Sequence, residues 1–423
     1  MILGVIADDF TGATDVASML VRAGMHTVQV IGVPDGALPQ ADAVVIALKT
    51  RTCSPSEAVD LSLQALAALQ GAGARQIYFK YCSTFDSTAQ GNIGPVADAL
   101  MKALKARITI ACPAFPENGR TVFRGHLFVG DLLLSDSSMR THPLTPMLDA
   151  NLVRVLQPQT EQQVGLLPEP VVAQGPNAVR QALQTLQSQG TGIAVADAIG
   201  NEDLLCLAEA CADLPLVTAG SGLALGLGPA YARRGWFTPQ AEAAQLQQVG
   251  GAAAVVSGSC SQATQAQIAH WKAAGLASLQ IEPLAVQEGR ENVQHLKTQA
   301  LALLDRGPVL VHAAADPDSG RAAQSLLGVQ QAGELTERTL AALAQSLVQA
   351  GVRKLVVAGG ETSGAVTQAL GIKRLRIGAS ICPGVPWTEG LWQGEPIWLA
   401  LKSGNFGGPD FFSAALACAE VHA

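Results

Sequence analysis

Short apolar runs that alternate with segments of helical period constrain this chain more than any other feature. Ile2–Ala7 precedes a helix-compatible Ala13–Ala23, and runs of the same kind recur at Ala43–Leu48, Gln76–Lys80, Ile108–Cys112, Gly192–Ala196 and Leu214–Ala219. Strands alternating with helices predict a parallel sheet covered on both faces. At 423 residues the chain is too long for one ordinary core, so two domains are expected. Thr238–Gly251 is Ala/Gln-rich, starts beside Pro239, ends in Gly250-Gly251 and lacks apolar periodicity. We place a linker at 238–251, between domains at 1–237 and 252–423. Beyond it the alternation restarts at Ala252–Val256, Ala277–Ile281, Pro308–His312, Lys354–Ala358, Arg374–Ile377 and Pro396–Leu401. The expected fold class is α/β: two domains, each a mostly parallel sheet flanked by helices, with the active site in the cleft between them. Thr121–Val129, two short runs about Gly125, reads as a hairpin outside the main sheet.

Charge removes some partners. The net charge is −7 and no Lys/Arg-rich run occurs, so a phosphate backbone finds no electrostatic footprint and nucleic acid is not expected. A small anion needs only a few placed cations. The start, Met1 to Asp9, has no basic n-region and runs into two carboxylates, and no apolar stretch is long enough to span a bilayer. No membrane and a cytosolic location are therefore expected. The eight cysteines form no Cys-x-x-Cys pair and have no His at zinc spacing, so they read as reduced, buried thiols.

In open parallel sheets ligands bind outside the carboxyl ends of strands, so the turns there carry the search. Gly359-Gly360-Glu361-Thr362-Ser363-Gly364 follows the run Lys354–Ala358 and opens a helix-compatible stretch. Such a turn leaves backbone N–H groups aimed at one point, which suits a phosphate. Taken alone it supports a tight bend equally well. It has company in Ser257-Gly258-Ser259-Cys260-Ser261, in Cys382 to Thr388 after Ile381, and in Lys402-Ser403-Gly404-Asn405-Phe406-Gly407-Gly408 after Leu401. Several glycine and hydroxyl turns on one sheet edge favour a phosphate or nucleotide site. No P-loop, no Gly-x-Gly-x-x-Gly after a strand and no protein-kinase motif is present.

The turns of the first domain carry charge instead. Ala7-Asp8-Asp9-Phe10-Thr11-Gly12-Ala13-Thr14-Asp15 holds three carboxylates and two threonines, of which Asp9 or Thr11 could cap the helix. Lys80 is an odd residue to close a buried strand, because its ammonium must meet an anion or water. A salt bridge to Asp86 is the plain reading. The sharper one has Lys80 and Arg51 holding a substrate carboxylate while hydroxyls of the turn after Lys80, Ser83 and Thr84 among them, read its hydroxyl groups. Arg120, after another strand, is a further candidate, and a polyhydroxy acid would need this mixture.

Four strings, Ala7–Ala13, Lys80–Thr88, Gly359–Ser363 and Leu401–Gly407, resemble the four-carbon acid sugar kinases, in the same order and over nearly the whole chain. Within that family the likeness is greatest to the branch that phosphorylates the 4-hydroxyl of a 3-oxo-tetronate; relatives acting on threonate or erythronate are the alternative. The resemblance implies an acid-sugar-binding N-terminal domain and a nucleotide-binding C-terminal domain. It implies ATP contacts at Ser257, Gly258 and Ser259, at Gly360, Glu361, Thr362 and Ser363, and at Gly404. ATP with Mg2+ is the expected cofactor, and the expected partners are the acid sugar and ATP, with self-association left open. Positioning and charge neutralisation would dominate the chemistry, with domain closure excluding water. A carboxylate, Asp86 or Asp8, would take the hydroxyl proton, with Asp9 among the substrate-binding residues. The rival from another class is a non-catalytic two-lobed sugar-acid-binding protein, which leaves the glycine turns idle.

Overall fold

Leu3–Ala7 (β1) is buried at every residue, as an apolar run is when helices cover both faces of its sheet. The computed structural model describes residues 1–142, 144–313 and 329–421. They divide into two compact units, Met1–Ala244 and Gln245–Ala423.

In the first unit β1 is joined by Thr27–Ile31 (β2), Ala43–Ala47 (β3), Gln76–Lys80 (β4) and Thr109–Cys112 (β5). Arg120–Phe123 (β6), His126–Val129 (β7) and Leu132–Leu133 (β8) form a separate antiparallel sheet, the expected excursion. Gln163–Leu167 (β9), Thr191–Ala196 (β10) and Leu216–Ala219 (β11) complete the main sheet, whose order is β2-β3-β1-β4-β11-β5-β10-β9. Every pairing in it is parallel. The β6–β7 turn puts both Arg124 and Gly125 at positive φ. Asp197 steadies it by accepting their two N–H groups at 2.7 and 2.8 Å.

The second unit contains Ala252–Ser257 (β12), Ser278–Ile281 (β13), Val309–Ala313 (β14), Val352–Ala358 (β15), Arg374–Cys382 (β16), Val385–Trp392 (β17) and Glu395–Lys402 (β18). Their order is β13-β14-β12-β15-β18-β17-β16. All pairings are parallel except those of β17, which is antiparallel to both neighbours. Cys382 to Thr388 spans the last residue of β16, the turn Pro383-Gly384 and the first half of β17, so this turn closes a hairpin. Trp271, Trp387, Trp398 and Phe412 fill the core beneath, each at most 2% exposed.

The connections matter for function. β1 leads to β2 on one side and β4 lies on its other side, while β12 leads to β13 on one side and β15 lies on its other. Each unit thus reverses strand direction of travel at one point, and the turns there diverge to leave a crevice.

Candidate active site

In the first unit, register aligns Ala7 with Ala47 and Lys80, and Lys80 with Ala219, so the turns after β1, β3 and β4 open side by side. Asp9 caps the helix Phe10–Arg22, accepting the Gly12 N–H at 3.2 Å and the Thr11 hydroxyl at 2.9 Å. Arg51 meets Asp8 with two parallel bonds, Nε to Oδ2 at 2.9 Å and Nη2 to Oδ1 at 2.8 Å, and reaches Asp9 at 2.6 Å. Such a fork fixes orientation as well as charge. Asn92 clamps the arginine's turn by donating to the carbonyls of Thr50 and Cys53 at 2.7 and 2.9 Å.

Asp86 is held differently. Its Oδ1 accepts the Thr84 hydroxyl at 2.6 Å, and its Oδ2 lies 3.8 Å from Arg51 Nη1. The intervening Phe85 sits at φ 59°, a conformation a bulky residue adopts only under constraint. Its ring is fully buried and edge-on to Tyr81 at 5.4 Å, which supplies that constraint.

Lys80 is 2% exposed, yet its ammonium makes no hydrogen bond or ion pair with any described group. It lies against Gly12, where an added Cβ would come within 2.5 Å of Nζ. Its charge is felt by Asp9 and Asp15. Burial alone would raise Asp9, but Arg51 and Lys80 hold it below the ordinary carboxylate range. Burial raises Asp8 against the pull of Arg51 and Lys80, and raises Asp15 against the pull of Lys80 and Arg120. Asp15, on the buried face of its helix with Oδ1 unpartnered, joins this constellation without having been singled out from sequence. Arg120 is near enough for Asp15 to feel its charge, is bonded to the Asn118 carbonyl and has its Nε buried without a partner among the described residues. Ser83 lies in the same turn as Thr84. Asp8, Asp9, Arg51, Thr84 and Asp86 are brought into one chain of contacts, Lys80 lies beside Asp9 against Gly12, and Arg120 is connected to the group only through its effect on Asp15.

In the second unit, register lines up His312, Ser257, Ala358 and Lys402 across β14, β12, β15 and β18. The three glycine turns pack on one another. A Cβ on Gly258 would lie 2.3 Å from Thr362 Oγ, one on Gly359 would lie 2.9 Å from the same atom, and one on Gly404 would lie 2.6 Å from Ser259 Oγ. Ser261 caps the helix Gln262–Ala273 and donates to the Gly404 carbonyl at 2.6 Å. The helix Gly360–Ala369, which carries Glu361, Thr362 and Ser363, has glycine as its N-cap and no side chain closing its end. Unclosed N-termini with glycine on the approach fit a phosphate. Ser257 and Ser363 are buried with hydroxyls that find no partner. Gly258→Val is expected to cost about 1–3 kcal/mol by overpacking the turns, seen as a lower Tm; an unchanged Tm would mean that the turns can spread. No described group of three or more His, Cys, Asp or Glu side chains is arranged to hold a metal ion.

A phosphate-type edge in one unit and a charged, hydroxyl-lined crevice in the other define a protein that handles a nucleotide and a polar acid. Residues 3–227 match the model of a sugar-binding N-terminal domain, and residues 254–412 that of a nucleotide-binding C-terminal domain. The chain is 57% identical to a 3-oxo-tetronate kinase of Burkholderia multivorans and 55% identical to one of Cupriavidus necator, over 98% of this chain and 96% of each relative. It belongs to the four-carbon acid sugar kinase family, as its motifs led us to expect. Among solved structures it is similar to one from Salmonella typhimurium LT2, with TM-score 0.88 and 45% identity over 98% of both chains. A Haemophilus influenzae protein gives TM-score 0.80 and 45% identity over 98% of this chain and 99% of that one. No described helix is long and apolar enough to cross a membrane.

Proposed function

We propose that this chain is an ATP-dependent kinase that transfers the γ-phosphoryl group to the 4-hydroxyl of a 3-oxo-tetronate, giving the 4-phosphate. The observation that carries the substrate half is Lys80, a buried cation whose ammonium makes no hydrogen bond or close ion pair among the described residues and lies beside a turn rich in hydroxyls. An acid sugar would bring the missing carboxylate. Ser83, Thr84 and Arg120 would read its remaining oxygens. Arg51 already gives its strongest donors to Asp8 and Asp9, so its part is to fix those carboxylates in place.

Of the two candidate bases, Asp86 is the better placed. Both oxygens of Asp8 accept from Arg51, whereas Asp86 keeps one oxygen beyond hydrogen-bond reach of the guanidinium. Asp86 would accept the 4-hydroxyl proton as the oxygen attacks phosphorus. In the second unit Ser257, Gly258, Ser259, Gly360, Glu361, Thr362, Ser363 and Gly404 would hold ATP through the open N-terminus of the helix Gly360–Ala369 and the Ser257 and Ser363 hydroxyls, since the Gly258 and Ser363 amides already donate to the Ala358 and Gly359 carbonyls. Bound Mg2+ would neutralise phosphate charge, and it typically relies on phosphate and water for most of its ligands. A cytosolic setting would suit eight free thiols.

Incubation with Mg-ATP and a panel of 3-oxo-tetronates, threonate and erythronate, followed by ADP release, tests this reading. Turnover is expected to be highest with a 3-oxo-tetronate. Activity confined to threonate or erythronate would overturn the substrate, and no ADP release from any of them would overturn the kinase.

A further inference from the structure

β18 ends on a second buried lysine. Lys402 is fully buried, and its ammonium donates to three uncharged oxygens, Thr264 Oγ1 at 3.1 Å, the Ser403 carbonyl at 3.1 Å and the Gly404 carbonyl at 2.8 Å, with the Phe411 ring 5.9 Å away and the Cys382 thiol near enough to feel its charge. Thr264 and Ser261 also donate to the Gly404 carbonyl, at 2.9 and 2.6 Å, which ties the turn after β18 to the helix Gln262–Ala273. Carbonyls and a hydroxyl around one positive charge are the ligands that a bare monovalent cation takes.

Peptide planarity gives this cage a consequence on its far side. In a trans peptide the N–H points opposite to the C=O of the same unit. Turning the Ser403 and Gly404 carbonyls toward Nζ therefore turns the N–H groups of Gly404 and Asn405 away from it. Neither N–H donates to any described group. Two successive outward amides form a nest that attracts an anion.

We propose that Lys402 is a tethered monovalent cation. It draws two carbonyls inward so that the amides of Gly404 and Asn405 face the nucleotide phosphates, and it stands where a potassium or ammonium ion would otherwise bind. It is a positioning residue and touches no reacting atom. The inference rests on the reading of these turns as the ATP site. Burial pushes the ammonium down to about 8, so it carries its charge at neutral pH.

Calorimetric binding of Mg-ATP to wild type, Lys402→Met and Lys402→Ala, each checked for folding by circular dichroism, tests it. Lys402→Met is expected to weaken binding about tenfold or more, the range for losing hydrogen bonds to a charged group. Lys402→Ala is expected to regain most of the lost affinity in ammonium or methylammonium chloride. Tetramethylammonium chloride at equal ionic strength, which has no N–H to donate, should restore nothing. An affinity of Lys402→Met within about twofold of wild type, or loss that ammonium does not repair, overturns the proposal. If neither variant folds, Thr264→Val removes one ligand of the cation and should weaken binding several-fold; unchanged binding then overturns it. A wild type that binds no ATP overturns the nucleotide reading itself, and the two failures are distinct.

Discussion

Asp86→Asn is expected to lower kcat by about 10²–10⁴-fold, the usual contribution of a positioned general base, with little change in KM for either substrate. The amide keeps the carboxylate's shape and its carbonyl can still accept from the Thr84 hydroxyl, so the turn should stay folded around the buried Phe85 ring. What the variant loses is the lone pair that would take the hydroxyl proton. Asp8→Asn should behave differently. It removes one charge from a bidentate fork while Asp9 still holds Arg51 at 2.6 Å, so its main effect should fall on acid-sugar KM, with a smaller loss of stability from the weakened buried pair. Steady-state kinetics on both variants separate the roles. Were Asp86→Asn to retain more than about a tenth of wild-type kcat while Asp8→Asn collapsed, the base would be Asp8.

Most strands were legible because their apolar runs are short and bounded, and the main-sheet order then follows from a switch point that sequence alone does not reveal. The strands that escaped notice have local reasons. β2 buries Gln29, whose amide oxygen accepts the Thr14 hydroxyl at 2.9 Å, and a polar residue in the middle breaks an apolar run. β9 carries Gly165 and β17 carries Pro386, residues that read as turn rather than strand. At the site, hydroxyl-rich and glycine-rich turns announced themselves. Lys402 did not, although the reasoning that isolated Lys80 applies equally to it: each lysine closes a strand whose last residues are buried. Asp15 was seen as one carboxylate among three, and only the packing of its helix places it beside Lys80. Which carboxylate is locked by Arg51 and which keeps an open oxygen depends on side-chain geometry across turns 35 or more positions apart, beyond the reach of any local pattern.

Lys80→Met is expected to separate binding from stability in opposite directions. Lys80 is desolvated without a hydrogen-bonded partner, and a buried charge in that state costs folding free energy. Methionine has a similar unbranched shape and no charge to desolvate. Removing that uncompensated desolvation favours the folded state, and for a unit of this size each kcal/mol corresponds to roughly 2–4 °C in Tm. Part of that gain is offset, since Asp9 and Asp15 lose a favourable neighbour. Asp15, already raised by burial, can take up a proton to limit the loss. The free enzyme should therefore melt at the same temperature or higher. Acid-sugar KM should rise about 30-fold or more, because losing one partner of a buried charge pair costs about 2–5 kcal/mol, while ATP binding to the other unit should be unaffected. Thermal unfolding without ligand and kinetics on the same preparation decide the matter. A lower Tm with unchanged KM would make Lys80 a structural counter-ion of Asp9 and Asp15, and the substrate's carboxylate would have to be held elsewhere.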